Sequence, residues 1–195
     1  MSEYRLARVF PTLIFNIDCS ELISEVVDIL ETIEWKNKNH NDSSKDFFIL
    51  SKHLELSKKF DDKVNICLSE LEYAIPFKMA SSWFTRTKPN QSVMEHKHTN
   101  SVWSSVFYFQ DNVSNIVFRK RELPMIDVKF SNHNPSTIPY GVCESAADKG
   151  SMVVFPSDLY HSTNTNKTDT YRYSLAMNFM PDGMCYDNDS SYYYQ

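Results

Sequence analysis

The chain has 195 residues, 42% of them hydrophobic and 23% charged, which is typical of one soluble globular domain rather than a disordered protein. Its formal net charge of −5 offers no basic surface for nucleic acid, and no apolar run reaches the roughly 20 residues that span a bilayer. The first residues lack the apolar segment of a signal peptide, and the four cysteines form no CxxC pair, which favours reduced thiols in a cytoplasm.

The first part of the chain predicts one strand and two amphipathic helices. Residues 8–17 are β-prone but contain Pro11, which favours an edge strand. From Ser20 apolar residues recur at helical spacing, and a second such stripe runs over residues 56–74. Between the helices, residues 37–45 are rich in Asn, Asp and Ser and predict a loop.

From residue 77 the pattern changes to short strands separated by polar turns. Candidate strands are residues 77–85, 93–98, 102–110, 116–121, 151–155 and 171–179. Residues 122–149 predict a long, mostly irregular insertion of the kind that borders binding sites. Helices followed by a run of strands define an α+β chain. We expect a single domain over residues 1–195, with an N-terminal region at 1–76, an all-β core at 77–181 and a frayed or surface-packed tail at 182–195.

Two histidines stand two residues apart within residues 95–101. On a strand, residues i and i+2 project from the same face, so His96 and His98 would lie side by side. Neutral imidazole suits iron, zinc and copper, so the pair predicts part of a metal site. A bare pair of this kind is also an ordinary feature of protein surfaces, and alone it leaves both interpretations open.

Two further pieces follow towards the end of the β region. His161 comes just after a buried strand and a Pro-Ser turn, and Arg172 and Ser174 share one face of the last predicted strand. An arginine can bind a carboxylate through two parallel hydrogen bonds, and a neighbouring hydroxyl adds a donor. Each piece also has a structural alternative, namely a satisfied histidine and a salt bridge at the rim of a barrel.

Taken in order, these pieces resemble a family of 2-oxoglutarate and Fe(II)-dependent oxygenases found in bacteria and in phages of marine cyanobacteria. The matching segments are residues 9–12, Ser82-Trp83, residues 96–101 running into 106–108, residues 155–157 with His161, and residues 172–174 leading to Asn178-Phe179. The likeness spans nearly the whole chain. It implies a double-stranded β-helix, or jelly roll, with the N-terminal helices packed on it.

The resemblance also implies a metal site without a carboxylate. The family usually has Pro where this chain has Thr99, and Gly where it has Ser105, but neither change touches a ligand. The common facial triad is two histidines and one carboxylate, whereas here, as in the family, the carboxylate position holds a histidine. The implied ligands are His96, His98 and His161. If His98 were the first ligand instead, Asn100 would take the carboxylate position, while Glu95 faces the other side of a regular strand.

The implied cofactors are Fe(II) and 2-oxoglutarate, and the implied reaction is hydroxylation of a small molecule or a peptide. The far carboxylate of 2-oxoglutarate would meet Arg172 and Ser174, with Tyr108 or Trp83 nearby. Residues 129–140 are candidates for the border of the substrate pocket. One rival is a non-catalytic jelly-roll module, such as an accessory phage protein that retains a metal site. Another is a cupin-like zinc or iron enzyme without 2-oxoglutarate, which the arginine and serine disfavour because such a site needs no carboxylate clamp. The sequence identifies neither the substrate nor the oligomeric state.

Overall fold

Two antiparallel β-sheets pack against each other in the computed structural model, which describes residues 11–37, 41–111, 115–120, 141–185 and 193–194. The helices are α1 (Ile23–Leu30) and α2 (Leu54–Leu68), with short 3-10 turns beside them. The strands are β1 (Phe15–Asp18), β2 (Trp35–Lys36), β3 (Asn41–Ser44), β4 (Phe77–Thr87), β5 (Trp103–Phe107), β6 (Ile116–Lys120), β7 (Gly141–Ser145), β8 (Ser151–Pro156), β9 (Tyr160–Thr163), β10 (Arg172–Pro181), β11 (Gly183–Met184) and β12 (Tyr193–Tyr194).

The topology is that of a double-stranded β-helix, as the sequence predicted. The large sheet has seven strands in the order β1-β8-β5-β10-β4-β3-β2, and the small sheet has three in the order β7-β6-β9. Neighbouring strands are therefore mostly distant in sequence, as in a jelly roll rather than a meander. The small sheet packs on the large one through an apolar layer in which Phe118 of β6 meets Phe155 of β8, with ring centroids 5.0 Å apart.

The alternation of side chains along β10 divides the molecule into two layers. Leu175, Met177 and Phe179 are fully buried in the layer between the large sheet and the helices. Residues at even positions of the same strand, such as Ser174 and Ala176, face the other way and line a cavity between the two sheets. The helices therefore support the large sheet from outside, and the cavity lies on its inner face.

Helix α2 is attached to the start of β4 by polar side chains as well as by its apolar stripe. Asp61 Oδ1 accepts the Met79 N–H at 2.9 Å, and Asn65 Oδ1 accepts the Phe77 N–H at 2.7 Å. The Asn65 amide also donates to the Phe77 carbonyl at 2.7 Å. These bonds fix the register of the helix against the strand. Within the described ranges no helix is long and apolar enough to cross a membrane.

The polar segment predicted as a loop contains a strand. Residues 41–44 form β3, which pairs with β4 and extends the large sheet. Two of its buried polar residues are paired: Asp42 lies 2.8 Å from Arg86, and Ser44 Oγ accepts the Phe84 N–H at 3.1 Å. The prediction was wrong because this strand is held by ladder and side-chain hydrogen bonds, which leave no hydrophobic pattern in the sequence.

Three other elements differ from the sequence predictions. The second helix ends at Leu68 rather than residue 74, because a 3-10 turn follows and Glu72 adopts a left-handed conformation with φ of 55°.

The irregular insertion contains β7, while residues 121–140, including the predicted pocket border at 129–140, lie outside the described residues. The tail forms a short pair, β11 with β12. Residues 8–10 of the first predicted strand also lie outside the described part, and β1 covers the end of that prediction.

Candidate active site

Three histidines meet at one end of the cavity. One nitrogen from each of His96, His98 and His161 can be chosen so that all three lie within 4.8 Å of one another. The ring centroids of His96 and His161 are 4.3 Å apart, and those of His98 and His161 are 5.0 Å apart. The sequence-predicted ligand set is therefore brought together, from segments separated by more than half of the β region.

The backbone that carries His96 and His98 is not a regular strand. The predicted strand over residues 93–98 is replaced by a single antiparallel bridge, in which the His96 N–H donates to the His161 carbonyl at 3.0 Å and the His161 N–H donates back at 2.8 Å. The ladder stops there because the His98 N–H donates instead to the Ser157 carbonyl at 2.8 Å. The two histidines still face the same space.

Each ring is oriented by a hydrogen bond at its Nδ1 atom. His96 Nδ1 lies 2.8 Å from the Met94 carbonyl, and His161 Nδ1 lies 2.9 Å from the Leu159 carbonyl. A carbonyl can only accept, so Nδ1 of each of these rings carries a proton, and in a neutral ring Nε2 then has the lone pair. His98 Nδ1 lies 2.6 Å from the side-chain oxygen of Asn178.

Burial keeps two of the rings neutral. It lowers the pKa of His161 to about 3, with the neighbouring His96 adding to the effect. It also lowers the pKa of His98 to about 4, although the hydrogen bond to Asn178 opposes that shift. Neutral imidazoles are the form that binds metals.

The spacing of the nitrogens suits a divalent metal ion. His96 Nε2 and His98 Nε2 are 3.3 Å apart. Two nitrogens about 2.1 Å from one ion, at about a right angle, stand about 3 Å from each other. The donors therefore fit a shared cation, and imidazole suits Fe(II) among others.

Asn100, the alternative ligand named from the sequence, is exposed and has a left-handed backbone with φ of 60°, in the turn before β5. Glu95 was predicted to face away from the histidines but lines the same cavity, because the segment is not a regular strand. Its carboxylate lies 3.1 Å from the guanidinium of Arg119. Within the described residues no carboxylate joins the cluster, so the three imidazoles are the candidate ligand set.

A cavity of about 440 Å³ extends from the histidines between the sheets. Trp83, Val106 and Ala176 line it beside the metal end, and the indole of Trp83 packs against His98 with centroids 5.4 Å apart. Phe47, which also lines the cavity, packs against Trp83 with ring centroids 5.7 Å apart. The walls near the histidines are therefore largely apolar, which limits the access of water to the ligands.

The far end of the cavity is polar. Ser174 and Tyr108 line it together with Thr163. Arg172 is buried directly behind this wall, where its guanidinium donates to Thr163 Oγ1 at 2.6 Å and to the Asn164 carbonyl at 2.9 Å. Burial raises the pKa of Tyr108 above its usual value, against the effect of the nearby Arg172 charge, so the phenol stays protonated. Its hydroxyl is buried and has no hydrogen-bond partner among the described residues.

This end has the chemistry of a carboxylate site. A fixed cation and two hydroxyl donors converge there, and an unpartnered buried hydroxyl is unusual unless a ligand completes it. The sequence had named Arg172, Ser174 and Tyr108. It missed Thr163 and the role of Asn178, although Asn178 lies on the same face of the strand as Arg172 and Ser174, which was the available signal.

Comparison with known proteins decides the family. The family model described as "Putative 2OG-Fe(II) oxygenase" matches residues 81–178, which include all three histidines, Arg172 and Ser174. The chain belongs to the 2-oxoglutarate and Fe(II)-dependent oxygenase family. The cofactors of this family are Fe(II) and 2-oxoglutarate, and the two ends of the cavity suit them. Among curated proteins none matches the chain by sequence.

Solved structures share the fold at low sequence identity. A 2OG-Fe(II) oxygenase family oxidoreductase from Burkholderia pseudomallei is 10% identical with a TM-score of 0.63, covering 86% of this chain and 83% of the other. HygX from Streptomyces hygroscopicus, solved with nickel, 2-oxoglutarate and hygromycin B, is 12% identical with a TM-score of 0.57, covering 87% and 83%. A Pseudomonas putida prolyl-4-hydroxylase is 11% identical with a TM-score of 0.57, covering 88% and 94%. These likenesses show the double-stranded β-helix of oxygenases.

Proposed function

We propose that this protein is a 2-oxoglutarate-dependent dioxygenase that hydroxylates a small molecule or a peptide. The observation that carries the proposal is the placement of three imidazole side chains at one end of a cavity and a buried arginine behind its other end. A dicarboxylate with one end at a metal and the other near Arg172 suits that arrangement. We also propose that residues 1–195 act as one domain, with the helices as the outer support of the catalytic β-helix.

The proposed roles follow from the chemistry of the side chains. His96, His98 and His161 would hold Fe(II), and Arg172, Ser174 and Tyr108 would bind the far carboxylate of 2-oxoglutarate. When bound, the two cofactors supply the activation of dioxygen, with 2-oxoglutarate converted to succinate and carbon dioxide. The protein contributes fixed ligands, orientation of the cosubstrate and a wall of Trp83 and Val106 that excludes water.

The absence of a carboxylate ligand changes the charge of the proposed centre. Three neutral imidazoles leave the full charge of a divalent ion, whereas two histidines and a carboxylate neutralise one unit of it. The near carboxylate of 2-oxoglutarate would offset one unit of this charge, while the far carboxylate would meet Arg172, so the centre would keep one more positive charge than the common triad does. The relatives solved with hygromycin B and named as prolyl hydroxylases support a small molecule or a peptide as the substrate class.

The test is an anaerobic titration followed by a turnover measurement. Adding Fe(II) and then 2-oxoglutarate should produce the weak visible charge-transfer band of the chelate, and admitting oxygen should yield succinate slowly without substrate and faster with it. His161→Ala is the variant that should lose both signals, and His53→Ala is the matched control, since His53 is exposed and outside the cluster. Binding of both cofactors without succinate from any candidate substrate would favour a non-catalytic binding role.

A further inference from the structure

The three histidines of the cluster are not oriented in the same way. His96 and His161 each face a backbone carbonyl two residues earlier in the chain. His98 Nδ1 instead faces two side chains, Asn178 Oδ1 on β10 at 2.6 Å and Ser104 Oγ on β5 at 2.8 Å. A backbone carbonyl cannot be changed by substitution, whereas both partners of His98 are residue choices. The orientation of one proposed ligand therefore depends on a side chain 80 positions away in the sequence.

Asn178 forms hydrogen bonds with serines on both sides. Its amide nitrogen donates to Ser81 Oγ at 3.1 Å on one side. On the other side, its oxygen accepts from the Ser104 hydroxyl at 2.8 Å. The amide therefore presents its acceptor end to His98 and its donor end to Ser81. Since an amide oxygen only accepts, the short contact with His98 requires the proton to lie on Nδ1.

The serines around Asn178 form a chain of hydrogen-bonded hydroxyl groups. The Ser101 hydroxyl donates to Ser157 Oγ at 2.9 Å, and Ser157 and Ser104 are 2.8 Å apart. Ser157 can donate to Ser104, which then donates to Asn178 Oδ1. The amide oxygen thus receives two protons, one from Ser104 and one from His98. Ser104 Oγ also lies 2.8 Å from His98 Nδ1, so in this arrangement the ring proton lies between the amide oxygen and that hydroxyl.

We propose that Asn178 is a positioning residue that selects the Nδ1–H tautomer of His98 and so directs the Nε2 lone pair into the histidine cluster. The proposal rests on the proposed function for the metal that this lone pair would bind. It goes beyond the ligand set, because it says that a neutral amide, Asn178, fixes the tautomer of His98. His98 is the residue at the usual carboxylate position. A neutral acceptor orients the ring without adding negative charge to the centre.

The first test reads the tautomer directly and needs no metal. Long-range ¹H–¹⁵N NMR of the metal-free protein, labelled with ¹⁵N-histidine, distinguishes a protonated Nδ1 from a protonated Nε2. The His98 signals are assigned by their loss in His98→Gln. We expect His98 in the Nδ1–H form in the wild type and a mixture of both forms in Asn178→Leu. A wild-type His98 protonated on Nε2, or exchanging between the two forms, would overturn the proposal.

The second test measures the affinity for Co(II), followed by its visible absorption. Asn178→Leu should weaken binding by about 10- to 100-fold, as is typical when the partner of a ligating histidine is lost. Asn178→Asp should bind at least as tightly as the wild type, because a carboxylate is also an acceptor. The matched control is Ser105→Ala, since Ser105 neighbours Ser104 but its buried hydroxyl contacts no described polar group.

The two variants of Asn178 separate orientation from packing. If Asn178→Asp binds Co(II) as weakly as Asn178→Leu, the amide does not act as an acceptor and the proposal is wrong. If Asn178→Leu fails to fold, as judged by circular dichroism, the Asp variant and the tautomer measurement still decide. A wild type that binds no Co(II) would contradict the proposed metal site, whereas the tautomer of His98 would still be measured independently.

Discussion

Arg172 is a buried cation whose hydrogen bonds place it at the polar end of the cavity. Replacing it by Ala should weaken 2-oxoglutarate binding by roughly 10- to 100-fold, as expected for the loss of a charge-assisted hydrogen-bond pair. The affinity for Co(II) should change little, because Arg172 donates to Thr163, Asn164 and Thr87 and not to the histidines. Anaerobic calorimetry of 2-oxoglutarate binding to the Co(II)-loaded protein measures the difference.

Arg172→Lys is the more demanding form of the same prediction. An ammonium keeps the charge but cannot reproduce the planar fork of the guanidinium, so 2-oxoglutarate binding should also be weak. Equal loss of metal and 2-oxoglutarate in either variant would mean that Arg172 is a structural residue of the β9–β10 connection.

His98 tests the consequence of a ligand set without a carboxylate. His98→Asp would restore the common two-histidine, one-carboxylate set, and we expect it to retain part of the conversion of 2-oxoglutarate to succinate. His161→Ala removes a ligand without replacement and should abolish it. Succinate release, measured with equal Fe(II) loading, compares the two. Equal inactivity of both would show that the position of His98 does not accept a carboxylate ligand.

The sequence predicted the candidate site residues but not the residues that hold them in position. Histidines at i and i+2, a distal histidine and Arg-x-Ser are local patterns, so they could be read without a structure. The contact of Asn178 with His98 joins β10 to the irregular segment before β5, and no local pattern specifies it. Thr163 was missed for the same reason, since its neighbour Arg172 lies on a different sheet.

Among the elements, the attachment of α2 to β4 contains a carboxyl group that folding disfavours in its charged form. Burial raises the pKa of Asp61 to about 6, against the lowering effect of its hydrogen bond from Met79. The folded state therefore binds a proton more tightly than the unfolded chain does, so this group makes the protein less stable as pH rises from about 4 to 6. Above pH 6 the loss is complete and constant.

Asp61→Asn should remove that dependence while keeping the acceptor for the Met79 N–H. We expect the free energy of unfolding to exceed that of the wild type by about 1 kcal/mol at pH 7.5, a reduced value because the carboxyl is only half-buried. The difference should shrink towards zero near pH 4. Urea denaturation of both proteins across this range is the measurement, and a difference that stays constant with pH would refute the assignment to Asp61.

The elements that were predicted correctly are those whose buried residues are apolar and so leave a visible pattern in the sequence. Strand β8 is a continuous apolar run, and α1 shows an apolar stripe, so both were expected where they lie. Strand β3 is buried through polar residues such as Asp42 and Ser44, and its sequence is indistinguishable from that of a loop. The end of α2 was missed because the left-handed Glu72 is not a residue type that usually marks a helix end.

For the whole molecule, a proposed metal site that joins β9 to the segment before β5 predicts a stability that depends on metal. Metal at 100 times its dissociation constant stabilises a folded protein by about 2.7 kcal/mol, which for a chain of this size raises Tm by roughly 5–10 °C. We expect Co(II) to raise Tm in this way and a chelator to reverse it. His53→Ala should respond as the wild type does, and His161→Ala should not respond. Identical Tm values with and without metal would contradict the site.

The reciprocal backbone bridge between His96 and His161 has a consequence for redesign. The bridge uses only the main-chain N–H and C=O groups of these residues, so it does not depend on which side chains they carry. Other donor side chains can then be placed at the two positions while the strand ends that carry them stay together. The same backbone bridge can present cysteine or carboxylate ligands, and so form a binding site for softer or harder metal ions.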